Sequence, residues 1–331
     1  MVVLLLAASL SNLAQTPENT SQRPRKVFPA EQDPEDVLRF DTDLVSVDVT
    51  ATDAEGRTIR NLRPGDFKIY SDGVPQTISF FQLERRTGEP RPLAIVFALD
   101  ISGSITPDEL NRIRQALQIF ATQLSKHSVI YAVMTFGMRV KTVQKFTSDP
   151  TKLDEAIERV AQDPKTGLST HTYDAVDDAI RLLVRQAPRT RERRLMKRAV
   201  LVVTDGFPVG DTVSSATVIE RANAADVSVF IVTLPSYTRS LAASSGQTPL
   251  PTPLDVSGLA EETGGRNVYA IEKDYGPLFK ALAEEVSSAY VLAFYPPEDK
   301  RRDGKIHTIK VEGPAGLTLR QSRSEYRAGT R

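Results

Sequence analysis

The sequence predicts an α/β protein: a doubly wound, mainly parallel sheet inserted into a small β-sandwich that the two ends of the chain complete. Three observations predict it. From 91 to 288, strand-length apolar runs alternate with segments of helical periodicity, the pattern of βαβ units. Some runs, such as Leu93-Ala94-Ile95-Val96-Phe97-Ala98-Leu99, are apolar at every position, as strands buried on both faces are. Segments 39–90 and 289–327 read instead as short strands with turn signals, and neither has enough strands to bury a core alone.

In chain order, Met1 to Ala14 holds the apolar run Val2-Val3-Leu4-Leu5-Leu6-Ala7-Ala8. It is too short to span a bilayer and reads as the apolar core of a signal peptide over 1–14, which predicts a secreted, periplasmic or cell-surface protein. No basic residues precede it and Asn12 suits a cleavage after Ala14 poorly, so a disordered apolar tail is the alternative. Residues 15–38, rich in Pro, Gln, Glu and Arg, read as a disordered linker. In 39–90, Val45, Val47 and Val49 alternate with polar residues, and Ser71-Asp72-Gly73 marks a hairpin between Asp66-Phe67-Lys68-Ile69-Tyr70 and Thr77-Ile78-Ser79-Phe80-Phe81.

Within 91–288 the expected strands are 93–99, 128–136, 139–146, 198–204, 227–234 and 266–270. The expected helices are 107–125, 151–162, 173–187, 214–225, 255–263 and 275–288. The first carries Leu110, Ile113, Leu117, Phe120 and Leu124 at helical spacing. Pro235 to Pro253, rich in Ser, Thr and Pro, reads as a long mobile loop. Strands return at 289–295, 307–311 and 317–320.

Composition excludes several function classes. Lys plus Arg and Asp plus Glu both number 42, so no net field favours nucleic acid or an anionic membrane. The basic run from Arg189 to Arg198 reads as a solvated loop and helix end. Cysteine is absent, which removes disulfides, thiolate zinc sites and a cysteine nucleophile. No stretch is long and apolar enough to be transmembrane. Oligomeric state leaves no trace in the sequence.

The chemistry concentrates at Asp100-Ile101-Ser102-Gly103-Ser104, directly after the apolar run 93–99. A carboxylate and two hydroxyls, spaced two residues apart, thus stand on the loop that follows a strand. Thr106-Pro107-Asp108-Glu109 then opens a helix with a capping box. Open α/β sheets bind ligands at the carboxyl ends of their strands. The offered atoms are hard oxygens, which suit Mg²⁺, Mn²⁺ or Ca²⁺. Taken alone, the five residues equally describe a polar turn that satisfies its own backbone. Two further segments add weight: Leu201-Val202-Val203-Thr204-Asp205-Gly206, and Gly167-Leu168-Ser169-Thr170-His171-Thr172-Tyr173-Asp174-Ala175.

This ordered set resembles the von Willebrand factor type A domain and its metal-ion-dependent adhesion site, whose sheet is Rossmann-like. The resemblance implies one divalent cation, Mg²⁺ by preference, held by Asp100, Ser102, Ser104, Thr170 and Asp205. Thr170 rests on the family pattern Gly-Thr-x-x-Tyr-Asp-Ala, in which Ser169 here replaces a glycine, so Ser169 and Thr172 stay open as alternatives. Over about 40–327 the chain further resembles secreted bacterial VWFA-related proteins known mainly from Acidobacteria. The matching pieces include Leu44-Val45-Ser46-Val47-Asp48-Val49, Asp72-Gly73-Val74-Pro75-Gln76 and Glu262-Thr263-Gly264-Gly265. Ser322-Arg323-Ser324-Glu325-Tyr326 departs from the family's Arg-x-Gly-Tyr ending.

The resemblance implies an adhesion or protein-interaction module whose metal takes an Asp or Glu carboxylate from a protein or peptide partner. Rival readings are an interaction module with a vestigial metal site, a Mg²⁺-dependent hydrolase, and an adaptor for an ATP-driven chaperone. The sequence argues against an enzyme. Ser102 stands where a DxD pattern would place a nucleophilic aspartate, and neither a P-loop nor Gly-x-Ser-x-Gly is present. His127 and His307 lie far from the strand-end loops in sequence, and His171 reads as a surface loop residue rather than a base.

Overall fold

A computed structural model describes residues 44–83, 90–162, 169–191, 194–235, 251–271, 274–287 and 290–329. All of them fall in the unit Asp41–Arg331. The expected signal peptide, the linker and residues 236–250 of the expected loop lie outside the described residues.

Strands β1 (Val45–Thr52), β2 (Lys68–Ser71), β3 (Val74–Gln76) and β4 (Phe80–Leu83) come first. The α/β unit opens with β5 (Leu93–Asp100), α1 (Pro107–Gln123), β6 (Val129–Phe136), β7 (Lys141–Thr147), α2 (Pro150–Gln162) and α3 (Thr172–Gln186). It continues with the short strands β8 (Thr190–Arg191) and β9 (Arg194–Leu195), then β10 (Lys197–Thr204), α4 (Ser215–Ala225) and β11 (Val227–Thr233). Single turns α5 (Pro253–Val256) and α6 (Leu259–Glu262), strand β12 (Asn267–Tyr269) and α7 (Gly276–Val286) complete it. Strands β13 (Tyr290–Phe294), β14 (Ile306–Glu312), β15 (Thr318–Gln321) and β16 (Glu325–Arg327) follow.

The central sheet has the order β12-β11-β10-β5-β6-β7. Every neighbouring pair is parallel except β6 and β7, which form an antiparallel edge. Strand β5 sits inside the sheet and is buried at all eight positions. Its side chains alternate between two cores, as the period of a strand requires. Leu93, Ile95, Phe97 and Leu99 join α1 and α7 on one face, while Ala94, Val96 and Ala98 join α3 and α4 on the other. Phe97 meets Phe120 edge-on with ring centres 5.5 Å apart. Phe97→Ala would leave a cavity between them at a cost of about 3–5 kcal/mol. This rigid strand fixes the position of the loop that follows Asp100.

The chain ends pair as their patterns predict. One antiparallel sheet has the order β15-β1-β13-β4 and a second has β16-β14-β2-β3. Their inner faces share a core that includes Val47, Val49, Ile69, Tyr290, Leu292, Phe294 and Val311. Residues from before and after the α/β unit thus fill one sandwich. Tyr290 donates its hydroxyl to the Ile59 carbonyl at 2.9 Å and accepts the Leu62 amide at 3.1 Å, which satisfies the polar end of a buried ring.

Several contacts join sandwich to sheet. Arg91 donates to both carboxylate oxygens of Asp48 on β1 at 2.7 Å and to the Leu195 carbonyl at 2.8 Å. Burial would raise the Asp48 pKa, but the charges of Arg91, Lys197 and Arg323 and the Arg91 hydrogen bond together outweigh it and hold the carboxyl below its usual value. At another contact the backbone passes so close that a Cβ on Gly264, which sits at φ 73°, would stand 2.1 Å from the Gln321 carbonyl oxygen on β15. Only glycine fits there.

Two sequence expectations are corrected. The helix expected over 255–263 is two single turns, α5 and α6, separated at Gly258, which sits at φ 70°. Ser257 stabilises the break: its hydroxyl donates to the Leu254 carbonyl at 2.7 Å and accepts the Leu259 amide at 3.2 Å. The basic run is not wholly solvated either. Lys197 and Arg198 begin β10 and are buried, because that strand lies between two others.

Candidate functional site at the sheet edge

The loop after β5 is built by its own side chains. The Ile101 amide donates to the Phe136 carbonyl at 2.8 Å, which carries sheet pairing one residue past Asp100. Asp100 Oδ1 accepts the Ser102 amide at 2.8 Å, an Asx turn that reverses the chain. Ser102 and Ser104 hydroxyls stand 2.9 Å apart. Thr106 then caps α1: its hydroxyl accepts the Glu109 amide at 3.2 Å, and Glu109 accepts the Thr106 amide at 2.8 Å. Asp100 and Ser102 are buried and Ser104 is exposed, so the cluster opens to solvent on one side.

The other two segments arrive beside it. Thr204, the last residue of β10, donates its hydroxyl to Asp100 Oδ2 at 2.7 Å, which sets Asp205 next to the first loop. Asp205 Oδ1 accepts the Phe207 amide at 3.2 Å. Thr170 is buried and pairs in both directions with Val209, at 3.0 and 2.9 Å. The His171 amide donates to the Gly137 carbonyl at 3.2 Å, and a Cβ on Gly137 would lie 3.6 Å from the Ser102 amide. Three chain segments therefore meet at one sheet edge. Of the alternatives to Thr170, the Thr172 hydroxyl already donates to the Thr170 carbonyl at 3.4 Å.

The electrostatics are unbalanced. Burial pushes the Asp100 carboxyl up to about 6; hydrogen bonds from Ser102 and Thr204 oppose that rise, and the Asp205 charge adds to it. Among the described residues no lysine or arginine forms an ion pair with Asp100 or Asp205. Asp100 Oδ1 accepts the Ser102 amide and Oδ2 the Thr204 hydroxyl, and a carboxylate has about four acceptor sites, so capacity remains. A buried, uncompensated carboxylate among neutral hydroxyls fits a small hard cation.

A second group of donors escaped the sequence reading. His171, Asp174 and Asp211 offer ligand-type atoms within 4.8 Å of one another. His171 is half-buried rather than a free surface residue, and its Nδ1 lies 3.0 Å from Asp174 Oδ2. Asp174 also accepts the Thr212 hydroxyl at 2.9 Å and the Val213 amide at 2.9 Å. Burial would raise Asp174, but the His171 and Thr212 bonds outweigh it and hold the carboxyl low. Burial raises Asp211. The Tyr-Asp pair at the start of α3 was the available signal for Asp174; Asp211 lies in a loop with no pattern of its own. His127 and His307 stand apart from this edge, one just before β6 and the other in the sandwich.

Comparison with curated proteins gives no match. Among solved structures, BatB from Bacteroides thetaiotaomicron is 19% identical over 59% of this chain and 97% of that one, with a TM-score of 0.43. An aerotolerance-related membrane protein from Bacteroides fragilis is 18% identical over 59% of this chain and 98% of that one, with a TM-score of 0.44. Proximal thread matrix protein 1 of the mussel byssus is 16% identical over 66% of this chain and 51% of that one, with a TM-score of 0.45. Residues 94–248 match the family model described as von Willebrand factor type A domain. With its mostly parallel sheet flanked by helices, the α/β unit of this chain has the von Willebrand factor type A fold.

Proposed function

We propose that the protein is a secreted or envelope-exposed adhesion module that grips an acidic side chain of a protein or peptide partner through one divalent cation. The observation that supports this best is the meeting of Asp100, Ser102, Ser104, Thr170 and Asp205 segments around a buried carboxylate that has no cationic partner among the described residues. Those five residues would hold the ion directly or through water. Mg²⁺ is the first choice, with Mn²⁺ or Ca²⁺ as substitutes. The bound ion would supply a position open to an incoming carboxylate, since only two of its ligands are charged and neutral hydroxyls and exchangeable water would fill the rest of its shell.

The protein's own groups favour binding over turnover. The His171 ring pairs with Asp174, and among the described residues no serine or threonine hydroxyl hydrogen-bonds to it as a nucleophile paired with a general base would. Export rests on the apolar segment Val2–Ala8 and on the likeness to the secreted VWFA-related proteins. Among the described residues no helix is long and apolar enough to cross a membrane.

The test is capture from the native envelope in Mg²⁺ against EDTA. Binding should vanish in EDTA, return with Mg²⁺ or Mn²⁺, and fail when the partner's acidic residue becomes an amide. Amide substitution keeps shape and removes charge, which isolates the metal–carboxylate bond from packing. A partner captured equally in both buffers would favour the vestigial-site reading.

A further inference from the structure

Away from the sheet edge, a groove of about 610 Å³ runs between α3 and α4 and is lined by five arginines: Arg181, Arg185, Arg189, Arg198 and Arg221. That volume falls within the range of small-molecule sites. The charges on its walls do not cancel. Arg181 and Arg221 share one carboxylate, that of buried Asp177, at 2.7 and 2.5 Å. Arg185 donates Nε to the Arg181 carbonyl at 3.2 Å, and Arg189 forms no ion pair among the described residues. Glu220 on α4 pairs instead with Arg327 of the sandwich at 3.3 Å.

Arg198 is the informative member. It is 7% exposed, lines the groove, and donates Nη2 to the Ala187 carbonyl at 3.0 Å. Its Nε is buried without an acceptor. Burial lowers the Arg198 pKa, the Arg189 charge lowers it further, and Asp226 works in the opposite sense. Asp226 is itself engaged, accepting the Ser322 hydroxyl at 2.9 Å. Arginine does not neutralise by losing its proton, so the buried charge calls for an anion. A single carboxylate would leave charge uncovered beside Arg185, Arg189 and Arg198, whereas a phosphate brings nearly two charges and three acceptor oxygens. Ile180, Val184, Ala224 and Ala225 give the groove apolar walls for the body of a ligand.

We propose that this groove is a binding site for a phosphate group, free or carried by a small phosphorylated molecule, with Arg198, Arg189 and Arg185 as its receptors. The site is independent of the proposed cation, so its test is run in EDTA with the full chain. Calorimetry at constant ionic strength would titrate inorganic phosphate and phenyl phosphate, with benzoate as the single-charge control. Both phosphates should bind, and benzoate should bind at least tenfold more weakly. Tighter binding of phenyl phosphate than of inorganic phosphate would assign the site to a phosphorylated molecule, and equal binding would assign it to the free ion. Arg189→Gln and Arg185→Gln, both at exposed positions, should each weaken phosphate at least tenfold. Arg198→Met should raise the melting temperature in phosphate-free buffer and remove the upward shift that phosphate produces in wild type. Absence of heat for both phosphates at millimolar concentration, or unchanged affinity in Arg189→Gln, overturns the proposal even if Arg198→Met does not fold.

Discussion

Two carboxylate clusters in this molecule have opposite fates. In the sandwich, Asp72 sits in the turn between β2 and β3 and accepts Lys300 Nζ at 2.7 Å, His307 Nδ1 at 2.8 Å and the Thr308 amide at 3.0 Å. His307 is buried, and its Nε2 meets Asp303 at 3.0 Å. At the sheet edge, among the described residues, Asp100 and Asp205 accept from amides and hydroxyls and from no cationic side chain. The acidities diverge accordingly. The Lys300 hydrogen bond, followed by that of His307, holds Asp72 well below the usual carboxylate range. Burial pushes Asp100 up to about 6. A carboxylate whose counter-ions come from its own chain strengthens the fold. One left short of them is held at a cost in stability and is free to take a ligand.

The largest expected effect breaks one side of this contrast. Asp100→Ala should abolish Mn²⁺ binding measured by calorimetry, with the circular dichroism spectrum unchanged, because the side chain lies on a loop at the end of an intact strand. Mn²⁺ affinity equal to wild type would remove Asp100 from the site.

The next comparison is of sign. In EDTA, Asp72→Asn should destabilise the protein by about 1–3 kcal/mol in urea unfolding, since it strands His307 and Lys300. Asp100→Asn should stabilise it under the same conditions, by at most about 3 kcal/mol, because it removes a buried charge that lacks a cation. Two losses of similar size would show that the clusters do the same job.

Dependence on pH sharpens the contrast further. Burial opposes the charged form of His307, yet its bonds to Asp72 and Asp303 outweigh burial and raise its pKa. The proton is thus bound more tightly in the folded state. This contribution is complete below the ordinary histidine value, near pH 6.5, and is lost as pH rises through the raised folded value. Asp72 acts in the opposite sense: its contribution is complete above about pH 4 and is lost as pH falls through its depressed value. Melting temperature should therefore decline on the alkaline side in wild type, and His307→Gln should flatten that limb. An unchanged alkaline slope in the variant would deny His307 this role. The smallest effect is that of Thr106→Ala, about 1 kcal/mol of stability from the lost cap of α1, with Mn²⁺ affinity retained. A matching loss of affinity would make the cap part of the site.

The legible features were those set by neighbours in sequence. The run 93–99 is apolar at every position and forms β5; the Thr106 capping box starts α1; the turn from Asp100 to Ser102 is closed within two residues. The break between α5 and α6 was hidden because Ser257 and Gly258 lie inside an otherwise helical apolar pattern, and one hydroxyl decides it. Arg198 could not be read as buried because its burial comes from the strands on either side of β10. Tyr326 in the departing C-terminal segment still docks: it is buried, within hydrogen-bond distance of the Ser71 hydroxyl at 3.1 Å, and lies 5.2 Å from the His307 ring.

By itself the sequence determined most of the strands and helices and set Asp100, Ser102 and Asp205, with their hard oxygen atoms, at or just after the ends of strands, because periodicity and local hydrogen bonding are properties of short stretches. It also suggested that the two strand-rich ends need each other, since neither buries a core alone. Tertiary structure alone decided which charges find partners. Asp72 meets His307 across 235 positions of chain, and Thr204 meets Asp100 across 104. The cost of an unpaired charge depends on burial and on what packs beside it, and both are fixed only when distant segments come together.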